Sequence, residues 1–498
     1  MSAPRSPSGE LPARSRWPLI AVIVVPLAVR LAAAGAIHLT EDEAYYRLWS
    51  FTPALGYYDH PPMISWWIAL GRRIAGDNPL GARLLPIASC ALTTLIVFDL
   101  ARLAGAAERT ASRSAIFFSA MPLIAAGGIL AVPDAPASLF WVATLWCALK
   151  ARRERLASWW LAAGLSAGLA CLSKYSALFL APGVGLWLLT SREGRRELRW
   201  PGPWLAALVA LAVFGLNIAW NAQHHWLTFA KQFGRVASGG LSPLHLPEFL
   251  IGQFLLINPL ITALAIRALG SRRSRVDSAV DLSLFVATSA PFALYLAFHS
   301  LHAQVEAHWP APIYPAIAVC AAAGAQVAWG AWKWVRATAA PLGFAVALAA
   351  ALWLIIPAAD LAPPVDPALP IRGWSPFATG VESQRERAGA GWIAAVSYGL
   401  TAELGGERDL RAPVIELYDR VRYRDLRLGP PPDLAKPGLV VDLTRRLDLV
   451  GLRRCFAEVQ PLGTLRRGDG GGPWKSYAAA IVSGPRVPIL VSGCPPAP

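Results

Sequence analysis

Long apolar runs separated by short polar stretches occupy the first 358 residues. A helix needs about 20 mainly apolar residues to cross a bilayer, and eleven segments approach that length. They lie near 17–37, 80–101, 114–132, 135–149, 157–172, 176–190, 203–221, 247–266, 280–298, 310–331 and 339–358. Several are short or contain Pro. After residue 358 the pattern changes to shorter runs. Those at 413–418, 438–443, 478–482 and 487–491 predict strands and 391–404 predicts helix, which together read as a small α/β domain. Residues 363–370 are Pro-rich and read as a linker, and Gly-rich 468–473 reads as a mobile loop. The expected architecture is an α-helical polytopic membrane protein of about 11 to 13 transmembrane helices, followed by a C-terminal soluble α/β domain. The division is a 1–16 N-terminal tail, a 17–358 transmembrane part and a 359–498 C-terminal domain.

Composition agrees with that division. Of 498 residues, 55% are hydrophobic and only 15% charged, against about 25% charged in a soluble protein. The apolar excess is more than one globular core would hide. A cytosolic enzyme and a disordered chain are both excluded, and no nucleic-acid partner is expected. The net charge of +15 is unevenly placed. With the N-terminus inside, inner segments hold twenty Lys and Arg and outer loops six, namely Arg47, Arg72, Arg73, Lys174, Lys231 and Arg235. Positive charge is retained on the cytoplasmic side, so the tail 1–16 is assigned to the cytoplasm. An odd number of spans then carries the C-terminal domain outside. Cys455 and Cys494 are the two cysteines of that domain, and an oxidising compartment would allow them to pair.

Ionisable residues collect at the outer ends of the spans, where they are costly without a role. The first outer loop carries Glu41, Asp42 and Glu43, then Tyr45 and Tyr46, then Gly56-Tyr57-Tyr58-Asp59-His60-Pro61-Pro62. A structural reading, acidic residues opening a solvated helix, accounts for part of this. Asp134 follows Pro133, where a helix cap is the plain alternative. Lys174 stands alone in apolar sequence, where snorkelling would suffice. Beyond the seventh segment come Trp220, Asn221, His225 and Trp226, then Lys231 and Arg235, and before the tenth come His299, His302, Glu306, His308 and Trp309. Such aromatics and cations form either an interfacial belt or a surface for an amphipathic anion. The histidines admit metal binding, hydrogen bonding to phosphate or sugar, or interfacial placement. No tight metal-ligand spacing is present.

These motifs, in their order relative to the spans, resemble the polyprenyl-phosphate-dependent glycosyltransferases of the GT-C superfamily. The branch is that of the lipid A aminoarabinose and galacturonic acid transferases, with protein O-mannosyltransferases more distant, and the likeness covers about residues 17 to 335. It implies a GT-C fold in the bacterial inner membrane, with active site and C-terminal domain periplasmic. It also implies inverting transfer of a sugar from a polyprenyl-phosphate-linked donor to a hydroxyl of lipid A, lipopolysaccharide or another membrane lipid or glycan acceptor. The family's catalytic Asp maps to Asp42 and its second acidic motif to Asp134. Where aminoarabinose transferases have Glu-Lys-Pro, this chain has Asp59-His60-Pro61, which opens the identity of the sugar.

The chemistry can be argued independently. Inverting transfer needs a base for the acceptor hydroxyl, for which Asp42 is the candidate, with Glu43 orienting it or touching the acceptor. The departing lipid phosphate needs cations, and Lys174, Arg235, His60 and His225 are candidates. Tyr45, Tyr58, Asp59, Asp134, Trp220, Asn221, Glu306 and His308 complete the expected substrate-binding set. A divalent metal, if used, would draw on Asp42, Asp59 and Asp134. A transporter or flippase, or another enzyme acting on lipid carriers, is the alternative. A transporter would show repeated spans and midplane charges.

Overall fold

The computed structural model describes residues 17–234, 240–242, 244–270, 280–355, 368–407, 410–426, 429–468 and 474–494. Two compact units emerge, Met1–Ala32 with Leu85–Ala349 and Ala33–Leu84 with Ala350–Pro498. The first outer loop thus groups with the C-terminal domain, whereas hydropathy drew its boundary at 358.

The elements run α1 (Trp17–Ala36), α2 (Glu41–Trp49), α3 (Met63–Ala75), α4 (Pro79–Leu103), α5 (Glu108–Ala120), α6 (Pro122–Gly127), α7 (Asp134–Glu154) and α8 (Ala157–Ser173). Next come α9 (Leu180–Thr190), α10 (Arg192–Glu197), α11 (Pro201–Gln223), α12 (Leu227–Gly234), α13 (His245–Ile257), α14 (Pro259–Gly270), α15 (Ser283–His299), α16 (Tyr314–Gln326) and α17 (Trp332–Ile355). Each of the eleven expected segments overlaps a helix, and the protein is a multi-span helical membrane protein with a soluble C-terminal domain. Among the described residues, four helices are long and apolar enough to span by themselves: α1, α4, α11 and Trp332–Leu354 of α17. The others are shorter or broken.

The breaks have local causes. Met121 is extended before Pro122, as residues preceding Pro prefer, and separates α5 from α6. Arg30, buried on α1, donates to Ile124 O (2.6 Å) and Ala125 O (3.3 Å) of α6. A charge within an apolar helix is thereby satisfied by carbonyls. Segment 247–266, expected as one span, is instead bent by 100° between α13 and α14. Asn258 makes the corner at φ 85°, donating to Ala339 O (2.7 Å) and accepting from Leu260 N (3.0 Å). Small residues then let helices approach closely. A Cβ on Gly324 would strike the Leu264 carbonyl, and one on Gly343 the Ala120 carbonyl.

In the second unit the soluble elements are α18 (Trp374–Arg387), β1 (Trp392–Ala395), α19 (Tyr398–Gly406), β2 (Val414–Glu416), β3 (Gly438–Leu443), α20 (Leu449–Cys455), β4 (Phe456–Gly468) and β5 (Trp474–Pro485). The sheet order is β2-β1-β3-β5-β4. β1 pairs parallel with β2 and β3, and β5 pairs antiparallel with β3 and β4. Alternate residues divide between two cores. Ile393, Leu439 and Val441 meet α18 and α19 on one face, and Trp392, Ala394 and Val440 meet Leu452, Phe456 and Ile489 on the other. The second core encloses a disulfide between Cys455 and Cys494, with Cα atoms 5.8 Å apart.

Two expectations fail here, and one strand was not predicted. Residues 391–404 are strand β1 and then helix α19, because a four-residue strand buried on both faces has no alternation to reveal it. Residues 487–491 form turns closed by Ile489 N to Val487 O and Val491 N to Pro488 O (2.8 Å each). Strand β4 has no counterpart among the expected strands, and it contains Pro461 and Gly463. They sit at a bulge in this edge strand, where such residues are tolerated. The expected linker residues 363–367 and loop residues 469–473 lie outside the described residues.

Glu416 ends β2 fully buried. Its Oε1 accepts from the backbone of Tyr418 (2.9 Å) and Asp419 (2.7 Å), yet burial pushes the carboxyl from its usual 4.5 to about 7. The native state then holds a proton that the unfolded chain has released, so stability falls as pH rises from about 4.5 to about 7 and levels off above. Glu416→Gln is expected to match wild type at pH 4 and exceed it at pH 8, by at most about 3 kcal/mol. Thermal scans of the full chain at the two pH values check this. Equal pH dependence in both proteins would refute it.

Candidate functional site

In the second unit, Thr40 and Glu43 start α2 with a capping box. Thr40 Oγ1 accepts from Glu43 N (3.4 Å) and Glu43 Oε2 from Thr40 N (3.0 Å). Glu43 thus belongs to the cap of α2, and it is fully buried there. Its two oxygens accept from Arg83 Nε (2.8 Å) and Nη2 (2.7 Å), and Arg83 also donates to the carbonyls of Ala34, Ile37 and His38. Glu43 is held within this network. Arg83 stands within an apolar run, and nothing in the sequence marks Glu43 as its partner.

Asp42, Tyr45, Tyr46 and Trp49 recur at helical spacing on α2. Asp42 is half-exposed and its Oδ1 accepts from the Tyr398 hydroxyl at 2.8 Å. Tyr45 Oη donates to Asp59 Oδ2 (3.0 Å). Trp49 stacks on Tyr57 with ring centres 4.2 Å apart, and Tyr57 N donates to His60 O (3.1 Å). That anchored turn presents Tyr58, Asp59 and His60. Asp59 is buried and pairs with Arg422 Nη1 (2.6 Å), whose Nε reaches Asp419 Oδ2 (2.7 Å). The Arg422 guanidinium lies 4.3 Å from the ring centre of Tyr398 and 5.7 Å from that of Tyr58. His60 is half-exposed, its ring edge-on to Tyr46 at 6.0 Å. The two acidic motifs of the first outer loop thus fold into one cluster. Tyr398 and Arg422 lie more than 350 residues from Asp42, and no sequence signal marks them.

In the first unit, Asp134 opens α7 after Pro133 without capping through its side chain. Its Oδ1 accepts from Lys174 Nζ at 2.7 Å, and Oδ2 lies 3.5 Å from His308 Nε2. Asp134 and Lys174 are 6% and 8% exposed, so Lys174 turns into the protein and does not snorkel. Its ammonium is 5.9 Å from the Trp309 ring centre. Glu306 is exposed and Trp220 half-buried, stacked on His224 with ring centres 3.9 Å apart. Asn221 is fully buried and donates to Asn217 O (3.0 Å), in a group with Tyr175. His225 and Trp226 are exposed at φ 55° and 57°, and two successive left-handed non-glycine residues are a strained corner of the kind kept at functional sites. Arg235 lies outside the described residues.

Asp59 is committed to Arg422 and Tyr45, and Asp134 to Lys174. Among the described residues no three His, Cys, Asp or Glu side chains are grouped to hold a metal ion.

The profile of the dolichyl-phosphate-mannose-protein mannosyltransferase family matches residues 59–220. The lipid A galacturonosyltransferase RgtD of Rhizobium johnstonii is 28% identical over 280 residues, which cover 55% of this chain and 58% of that protein. The undecaprenyl phosphate-alpha-4-amino-4-deoxy-L-arabinose arabinosyl transferase of Pseudomonas paraeruginosa is 37% identical over 166 residues, 32% of this chain and 30% of that one. The matches therefore span little more than half, or less, of these relatives' length. The crystal structure of ArnT from Cupriavidus metallidurans bound to undecaprenyl phosphate superposes with a TM-score of 0.64 at 14% identity, over 94% of this chain and 98% of that one. The fold is shared nearly end to end.

Proposed function

We propose that this chain, a GT-C-type protein related to the polyprenyl-phosphate-dependent glycosyltransferases, moves a sugar from a polyprenyl-phosphate carrier to a hydroxyl of an envelope acceptor. Lipid A is the acceptor suggested by the name of one relative. The reaction is placed at the periplasmic face of the bacterial inner membrane, with about eleven crossings in which the short and broken helices take part. The observation that carries this reading is the half-exposed Asp42 bonded to Tyr398, whose ring Arg422 covers, beside the Tyr45–Asp59–Arg422 group.

Asp42 takes the proton of the acceptor hydroxyl as that oxygen attacks C1 opposite the carrier phosphate, and the sugar inverts. The C1–O bond to the carrier breaks and the phosphate leaves as a stable anion, which cations favour without protonating it. His60, Lys174, Arg235 and His225 are assigned that electrostatic task. Asp134 holds Lys174 in place, with His308 beside it. Tyr58 and Trp220 offer ring faces to sugar or prenyl groups.

The test is transfer of label. Purified protein in nanodiscs receives undecaprenyl phosphate carrying labelled 4-amino-4-deoxy-L-arabinose or labelled galacturonic acid, together with lipid A, while envelope lipids and glycans of cells with and without the protein are compared by mass spectrometry. Movement of label, or one sugar-sized mass difference in an envelope component, is expected. Neither in any arm would overturn the reading.

A further inference from the structure

The soluble domain contains no recognisable catalytic motif, yet it supplies the hydroxyl that meets Asp42. Tyr398 is the first residue of α19 and follows β1 by two residues. The turn between them is fixed by Asp442 of β3, whose Oδ2 accepts from Val396 N (3.0 Å), Ser397 N (2.8 Å) and Ser397 Oγ (2.8 Å). Tyr423 Oη donates to the Tyr398 carbonyl at 2.5 Å. The Tyr398 ring lies edge-on to Tyr45 at 5.2 Å and beneath Arg422. Backbone, ring and hydroxyl are thus each held by a different partner. A surface tyrosine that merely filled space would need none of this.

We propose that Tyr398 is the positioning residue for Asp42, donating one hydrogen bond that fixes the carboxylate's rotamer and keeps it ionised, so that the soluble domain takes part in the transfer step. This rests on the reading of Asp42 as the base. A hydrogen bond to the charged form of a carboxylate favours that form. Burial, together with Asp42 and Asp59, holds the phenol well above its usual titration range, so the proton stays on Tyr398. Arg422 supports the arrangement through the ring it covers and through Asp59, which in turn receives the Tyr45 hydroxyl. The soluble domain acts here by delivering a donor to a fixed place, and the proton of the acceptor still goes to Asp42.

Tyr398→Phe keeps the ring and removes the donor. Water-soluble carbodiimide with an amine labels carboxyls in their protonated form, and peptide mass spectrometry reads Asp42. In Tyr398→Phe the pH of half-maximal labelling is expected to rise by about one unit, the equivalent of one charge-assisted hydrogen bond. Difluorotyrosine at position 398, a stronger donor of nearly equal size, is expected to move it the other way. In the donor-transfer assay kcat should fall about 10-fold or more in Tyr398→Phe with KM for the donor within about two-fold, while undecaprenyl phosphate binding and heat resistance hold. An unshifted labelling midpoint in both variants overturns the positioning role even if Asp42→Asn is inactive. Loss of undecaprenyl phosphate binding together with activity would mark Tyr398 as structural and overturn it likewise. Normal turnover in Asp42→Asn would overturn the base assignment itself.

Discussion

Asp42→Asn is expected to bind undecaprenyl phosphate and melt like the wild type while its turnover falls by about 10³- to 10⁴-fold. The upper range of general-base contributions sets that size, because Asp59 and Glu43 are both taken up in ion pairs. Asp59 is buried in its ion pair with Arg422, and Glu43 is enclosed with Arg83. Asparagine has the same shape and its Oδ1 still accepts from Tyr398, so the local geometry survives. What is lost is the capacity to hold a proton. Initial rates with saturating labelled donor, beside a binding isotherm for undecaprenyl phosphate, separate chemistry from binding. A rate within three-fold of wild type would remove Asp42 from the mechanism. A parallel loss of binding would make it a ligand for the carrier instead.

Arg83→Met is expected to cost about 3–5 kcal/mol, the penalty for leaving one member of a buried ion pair without its partner. Arg83 and Glu43 are 1% and 0% exposed, joined by two hydrogen bonds. Arg83 also closes the carbonyls at the end of α1 and the loop that follows. Removing it strands a carboxylate and three acceptors at the point where the loop turns into α2. Asp42 is the neighbour of Glu43 on that helix, so activity is expected to fall with stability. The double variant Arg83→Met with Glu43→Leu should recover part of the stability, since apolar pairs often replace buried ion pairs without loss. Thermal scans of the purified full chain, at one detergent concentration, compare all three. Equal melting of Arg83→Met and wild type would refute the account.

Hydropathy and charge alone determined that this is a multi-span helical membrane protein with a soluble α/β tail, because burying apolar helices in lipid is a local demand that each segment meets by itself. The same local logic marked Asp42, Asp59, Asp134 and Lys174, whose charges stand out against apolar surroundings. It failed wherever the deciding partner was remote. Glu43 and Asp42 are adjacent acids at a helix start, and only folding gives one to Arg83 and the other to Tyr398. Lys174 read equally well as a snorkelling side chain until Asp134 lay 2.7 Å away. The bend at Asn258 was hidden because its left-handed corner is held by Ala339, some eighty residues away. Side-chain identity fixes what chemistry a position can offer. Tertiary structure decides which of those groups are consumed by each other and which are left facing the place where a substrate would bind.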